Sequence, residues 1–190
     1  MRTRVLLVDH DSTRSDELSR TLAREGCELA ARISISDDLE EAVRACEPDI
    51  VIIETSSPSR DILEGMAHLS ESNPRAIAMF VDDEDEDCIR DAVRAGVAAY
   101  VVRGLESSRV RPVVQLAIAR FEEHQRVRDA LEVAQQDLDD RKVIERAKEK
   151  ITRNYGVDAG RAYEMLRTMS MERNLKMREI ADFVLSSDAC

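Results

Sequence analysis

RVRPVVQLAIARFEEHQRVRDALEVAQQDLDDRKVIERAKEKITR (residues 109–153) decides how this chain is built. It holds no turn signal. Its one proline, Pro112, falls where a helix starting near Ser107 or Ser108 would still have N–H groups without partners. The stretch predicts one helix of about forty residues, against a mean of about 11–12. Its apolar positions do not keep to one side. Val114, Ile118 and Phe121 form a first stripe, Val127, Leu131, Ala134 and Leu138 a second, and Ile144, Ala147 and Ile151 a third. Spacing within each stripe is three or four residues, but each begins six residues past the last, which swings it round the axis. Such a helix has three different surfaces to cover.

Upstream, short apolar runs alternate with helical patterns. RVLLVD, ELAARI, PDIVIIE, AIAMFVD and AAYVV read as strands. SDELSRTLAREG, DDLEEAVRAC, RDILEGMAHLS and DEDCIRDAVRAG read as the helices between them. Continuous apolar strands separated by helices predict a parallel, doubly wound (βα)5 sheet covered on both faces. The first stripe of the long helix then closes this sheet. Downstream, Gly156 suits a helix C-cap and Asp158 an N-cap. AGRAYEMLRTMSMERN and KMREIADFVLSS follow as two further helices, with the third stripe as the first wall of a three-helix bundle. The expected fold is α/β followed by all-α, divided into 1–120, a helical linker with short coiled-coil character over 121–140, and 141–190.

The totals narrow the function. A chain of 190 residues with 43% hydrophobic and 35% charged residues can build a real core. It has neither a membrane-length apolar run nor a signal-peptide pattern, and its four cysteines lie far apart without metal-ligand spacing. A cytoplasmic protein with reduced thiols and no metal or cofactor is expected. The net charge of −11 conceals an asymmetry: residues 141–190 carry 11 Lys+Arg against 8 Asp+Glu, and residues 1–140 carry 17 against 31. All four lysines (Lys142, Lys148, Lys150, Lys176) lie in the basic part. This is a basic working module on an acidic carrier. With six glycines, no phosphate-cradling loop and no nucleophile–base pair, an enzyme is not indicated.

Ligands of such sheets gather at the carboxyl ends of the strands. Those ends carry Asp9, His10 and Asp11 after the first strand, Glu54 after the third, Val81 after the fourth and Arg103 after the fifth. Through LLVDHD, PDIVIIETSSP, AMFVD and AGVAAYVV, residues 1–120 resemble the receiver domain of bacterial response regulators. The resemblance implies an acid pair, a phosphoryl-accepting aspartate, a Ser or Thr, and a Lys at these positions. Here the second acid is His10, with Asp11 as a substitute, the acceptor is Glu54, the hydroxyl is Val81 and the lysine is Arg103. Val81 cannot donate to a phosphate oxygen, and a guanidinium fork does not replace a compact ammonium. A receiver that is not phosphorylated is expected, with an Arg103–Glu54 ion pair in place of the chemistry. The acidic run from Asp82 to Asp87 reads as a solvated helix start, where acids suit the dipole.

The second stripe has coiled-coil spacing for under two heptads. It is expected to pair with a partner helix or a second copy of the chain, the alternative being cover by the chain's own C-terminal helices. In the last fifty residues, Arg141–Lys142 with Ile144, Arg146-Ala147-Lys148, Ala162-Tyr163, Leu166-Arg167, Met171 and Ile180-Ala181 resemble the ANTAR domain. That resemblance implies a three-helix RNA-binding module behind a receiver. Residues 149–152 and Ser170 depart from its usual pattern. Arg146, Lys150 and Arg153 lie on one face of the first helix, with Arg141 and Lys148 on another, and such cations supply the salt-dependent phosphate contacts. Lys142 and Arg167 complete the candidate set. Tyr163 can stack on an unpaired loop base, although a tyrosine between Ala162 and Leu166 also suits a core.

SSPSRDILE, AIAMFVD, AGVAAYVVRGL, RVRPVVQLAIARF and DRKVIERAK are similar to the nitrate/nitrite-responsive antiterminators of the NasT type. The resemblance implies binding to paired hairpins in leader mRNA. It further implies sequestration by a nitrate-sensing partner of the NasS type, without phosphorylation. The alternatives are a phosphorylated two-component regulator, a DNA-binding regulator and a pure protein adaptor.

Overall fold

The computed structural model describes residues 2–9, 12–82, 84–102 and 107–187. These form two compact units, 1–125 and 126–190. In the first unit the strands are β1 (Arg4–Asp9), β2 (Glu28–Ser34), β3 (Ile50–Thr55), β4 (Ala76–Val81) and β5 (Ala99–Val102). Between them lie α1 (Ser12–Arg24), α2 (Leu39–Cys46), α3 (Arg60–Ser72) and α4 (Glu86–Arg94). The sheet is parallel throughout, in the order β2-β1-β3-β4-β5. The doubly wound α/β expectation is met.

Alternation along the central strands divides the apolar residues between two cores. Val5, Leu7, Ile50, Ile52, Ala76 and Ala78 pack with Leu18 and Leu22 of α1 on one face. Leu6, Val8, Val51, Ile53, Ile77 and Met79 pack with Val43, Met66, Leu69 and Ala92 of α2, α3 and α4 on the other. Strands buried on both faces read as unbroken apolar runs for this reason. The long helix α5 (Ser107–Tyr155) has 49 residues, and its Val110, Val114 and Ala117 join the first core, with Ile118 and Phe121 packed against it.

Pro112 corrects one expectation. It stands at the sixth position of α5, one turn beyond the partnerless N–H groups, and so removes a real intrahelical bond. Its ring is on the exposed side while Val110 and Val114 are buried. That anchoring and a wet flank let the helix run through the missing bond.

The second unit takes the rest of α5 together with α6 (Ala159–Arg173) and α7 (Met177–Ser186). Ala147, Ile151, Ala162, Leu166, Ile180 and Ala181 form its core, with Val143, Ile144, Met165 and Met169 around them. The punctuation follows the sequence. Gly156 ends α5 with φ of 65°, the Asp158 side chain accepts from the Arg161 N–H at 2.8 Å, and Asn174 ends α6 with φ of 52°. Among the described residues, no helix is long and apolar enough to cross a membrane.

Gly96 shows how tightly the first unit is closed. Its φ is 91°, and a Cβ there would stand 2.3 Å from the Ser70 Oγ, which itself donates to the Ala95 carbonyl at 3.1 Å. Gly96→Ala combines about 1–2 kcal/mol for a left-handed backbone with about 1–3 kcal/mol for overpacking. A lowered urea midpoint for the sheet unit, with the helical bundle's transition unmoved, is the expected result.

Candidate nucleic-acid interface and acid edge

At the carboxyl edge of the sheet, the register places Asp9 beside Glu54, Glu54 beside Phe80, and Thr55 beside Val81. Val81 is buried and offers no hydroxyl to this edge. The nearest alternative, Thr55, is also buried, and its hydroxyl donates to the Ser57 carbonyl at 3.1 Å. His10, Asp11 and Arg103 lie outside the described residues, and with them the expected Arg103–Glu54 pair. What the edge does hold is a cation from β2. Arg32 donates through Nε to Asp9 Oδ2 at 2.5 Å and through Nη1 to Asp16 Oδ1 at 2.6 Å. Bonding to Asp9 first, and to Asp16 second, raises the guanidinium pKa above its ordinary value. Sequence reasoning missed Arg32. The only signal was a lone arginine near the end of an otherwise unremarkable strand.

The acidic run before α4 is employed locally. The Asp85 side chain accepts from the Asp87 N–H at 2.9 Å, and Asp87 pairs with Arg90. Glu86 and Asp87 occupy the first helical turn, where a negative charge faces the positive end of the dipole.

On the bundle, the candidate cations separate into two groups. Arg141, Arg146, Arg153 and Arg167 are exposed. Lys142 is exposed but pairs with Asp139 at 3.0 Å. Lys148 is largely covered, pairs with Glu145 at 2.8 Å, and holds its ammonium 6.0 Å from the centre of the Tyr163 ring. Tyr163 is 44% exposed, so the core alternative for that ring does not describe it. Arg167 follows it one turn later on α6. Lys150 is employed differently from the expectation. Its ammonium donates to the carbonyls of Leu185 and Ser187 at 3.1 and 2.6 Å, closing the negative C-terminal end of α7. It acts as a brace between two helices, and the outward-facing set is correspondingly smaller.

A second brace joins α5 to α7. Arg178 donates to Asp140 at 2.5 Å and to Asp182 at 3.1 Å, and Gln136 donates to Asp140 at 2.7 Å. Along the middle of α5, Val127, Leu131, Ala134 and Leu138 are all exposed, Leu131 at 64%. The bundle's own helices leave that stripe uncovered.

Residues 132–185 match the ANTAR domain. The transcriptional regulatory protein PdtaR of Mycobacterium tuberculosis is 25% identical over 184 residues, spanning 97% of this chain and 90% of that protein. The chemotaxis protein CheY of Halobacterium salinarum is 30% identical over 121 residues, covering 60% of this chain and 95% of that one. The chain belongs to the receiver-domain response regulators and carries an ANTAR domain. A solved signal receiver domain, that of a modulated diguanylate cyclase from Desulfovibrio desulfuricans, superposes with a TM-score of 0.57 at 16% identity. It covers 65% of this chain and 99% of that chain, which confirms the receiver fold.

The Arg178–Asp140 brace makes the ANTAR bundle acid-sensitive in a defined direction. Arg178 foremost, then Gln136, holds the Asp140 carboxyl below its ordinary value. A depressed folded-state pKa contributes stability that is present above the unfolded value of about 3.9 and lost as pH falls through the folded value. Asp140→Asn should therefore lower the bundle's urea midpoint at pH 6. The gap from the native protein should narrow below pH 4, as read by helical circular dichroism.

Proposed function

We propose that this protein is an RNA-binding transcription antiterminator whose ANTAR bundle takes hairpins of leader mRNA. In this reading its receiver works by protein contact and not by accepting a phosphoryl group. The observation that carries it is the set Arg141, Arg146, Arg153 and Arg167, exposed and without ion pairs among the described residues, on a bundle that also exposes the Tyr163 ring. Residues 1–140, with 17 Lys+Arg against 31 Asp+Glu, would repel nucleic acid, so the bundle is where phosphates would be met. A half-exposed aromatic next to cations suits splayed loop bases better than a duplex groove. Similarity to PdtaR, named a transcriptional regulatory protein, supports transcription as the process controlled.

The target class is nitrate and nitrite assimilation transcripts, and the controlling partner is a nitrate-sensing protein of the NasS type. Similarity of five stretches, among them SSPSRDILE and DRKVIERAK, to antiterminators of the NasT type supports that choice. Sequencing of RNA crosslinked to the protein in cells, with and without nitrate, tests it. Enrichment of other transcripts, unaffected by nitrate, would refute the assignment. A second reading, a phosphorylated regulator with RNA output under another signal, is favoured by Asp9 standing beside Glu54 at the sheet edge. Intact mass after treatment with acetyl phosphate, for the native protein and Glu54→Gln, separates the two.

For RNA contact, paired leader hairpins should bind in gel shifts, and duplex DNA of the same sequence should bind far more weakly. Arg146→Glu with Arg153→Glu should weaken RNA binding and flatten its salt dependence. Tyr163→Ala should cost about 1–3 kcal/mol per stacked base while Tyr163→Phe costs little. Equal losses for both tyrosine variants would make the ring a packing element.

The exposed stripe from Val127 to Leu138 is proposed as a pairing surface for a second copy or a partner helix. Leu131→Glu should abolish self-association, or co-elution with the partner, while the receiver's melting transition stays in place. Unchanged assembly would remove the stripe from any interface.

A further inference from the structure

Strand β2, ELAARIS, carries one cation, and the way it pairs with β1 determines which face that cation takes. Val5 lies opposite Leu29, but Leu6 lies opposite Ala31, so the ladder skips Ala30. From there Leu7 faces Arg32 and Val8 faces Ile33. Without the skip, Arg32 would stand beside Val8, whose side chain belongs to the core under α2, α3 and α4. The irregularity sends Ile33 into that core and turns Arg32 onto the face of Leu7 and Asp9. A one-residue insertion of this kind re-aims a side chain at a functional edge.

The guanidinium then spans two acids on different elements, Asp9 at the end of β1 and Asp16 on α1, at 2.5 and 2.6 Å. The Asp9 side chain is 12% exposed, and its neighbour across the β1–β3 ladder is Glu54. Receivers hold a divalent cation at this edge to bring a phosphoryl group onto the acceptor, and the residues present here fit such an ion poorly. His10 stands at the second acid position, with Asp11 one place further along, and Asp9 already receives a charge-assisted bond from Arg32. A hard cation needs several free carboxylate oxygens.

We propose that Arg32 is the resident cation of this edge. A covalently tethered positive charge stands in for the exchangeable metal, holds β1, β2 and α1 together, and keeps divalent ions out. The inference rests on the reading of the receiver as unphosphorylated and supplies its physical basis: the site is already filled by the protein. Arginine suits this place because its rigid planar guanidinium directs separate Nε–H and Nη1–H donors, one to each carboxylate.

The test uses the full-length protein and Mn²⁺ as the probe, with free ion followed by electron paramagnetic resonance. Native protein should bind Mn²⁺ only weakly at this edge, and its melting temperature should not respond to millimolar Mg²⁺. Arg32→Gln should melt lower than the native protein in the absence of metal, and should bind Mn²⁺ about tenfold or more tightly than the native protein does. Adding Asp9→Asn should abolish that gain. Binding by the native protein equal to that of Arg32→Gln overturns the proposal, as does a folded Arg32→Gln that gains nothing. Should Arg32→Gln fail to fold, Arg32→Lys replaces it, with a gain again expected, and the native protein's response to Mg²⁺ remains decisive by itself. Acetyl phosphate labelling keeps the two ideas apart. Phosphorylation of the native protein would sink the unphosphorylated reading. An unlabelled native protein with a metal-blind Arg32→Gln would sink only the role of Arg32.

Discussion

Strand β1 gives Val5 and Leu7 to one core and Leu6 and Val8 to the other, so a slip of one residue would exchange the two. The same alternation runs through β3 and β4, each buried on both faces. Register is therefore enforced by two cores at once, and polar side chains are admitted only where the strands end. Asp9 and Glu54 come to adjoin at the carboxyl edge because four consecutive rows of apolar residues hold β1 and β3 in step. Pairing with β2 satisfies the alternation only by omitting Ala30. The acid edge is thus a product of core packing several residues away.

This explains which parts could be read in the chain. The apolar runs of β1, β3 and β4 identify themselves, because strands covered on both sides need no polar residue until their ends. The stripe Ile144, Ala147, Ile151 and the cap residues Asp158 and Asn174 depend on neighbours within a turn or so, and local spacing reveals them. Arg32 depends on a skipped residue in a ladder between strands more than twenty positions apart, and no local pattern encodes that. Lys150 is similar. Its i, i+4 relation to Arg146 places it with the outward cations, but its ammonium closes the end of a helix 35 residues later in the chain. Pro112 marks the opposite limit. Local rules favour it near the partnerless N–H groups, whereas buried Val110 and Val114 let the helix keep it a turn further in.

Charge is partitioned within the ANTAR bundle as strictly as apolar area is within the sheet. Arg178 and Lys150 make bonds between helices, and Lys148 and Arg161 make bonds to nearby glutamates. Arg173 lies over the Phe183 ring at 4.7 Å. Cations so engaged gain little from meeting a phosphate, because an existing partner must first be released. Arg141, Arg146, Arg153 and Arg167 have no such partner among the described residues, so a phosphate contact there displaces only water and counterions. The net of positive residues in this segment therefore exceeds the charge that is free to meet a phosphate in the proposed function.

The middle of α5 makes a different argument. Between Phe121 and Asp139 every side chain except Gln125 is exposed, so tertiary burial is not what keeps this segment helical. Starting a helix is costly, whereas extending one adds a bond for each residue ordered. The segment is flanked by turns nucleated elsewhere: Val110 and Val114 are buried in the sheet unit, and Ala147 and Ile151 in the bundle. Helicity propagates between them, with i, i+4 help from Arg128–Glu132 and Gln136–Asp140. Its apolar stripe is thereby presented rather than consumed. Val127, Leu131 and Leu138 are 52–64% exposed, so covering them would yield about 1–2 kcal/mol each. A pair of such helices therefore gains an amount close to the roughly 4–15 kcal/mol that association costs. In the proposed mechanism, a surface so nearly balanced pairs or separates according to which partner is present, and that is the property sequestration requires.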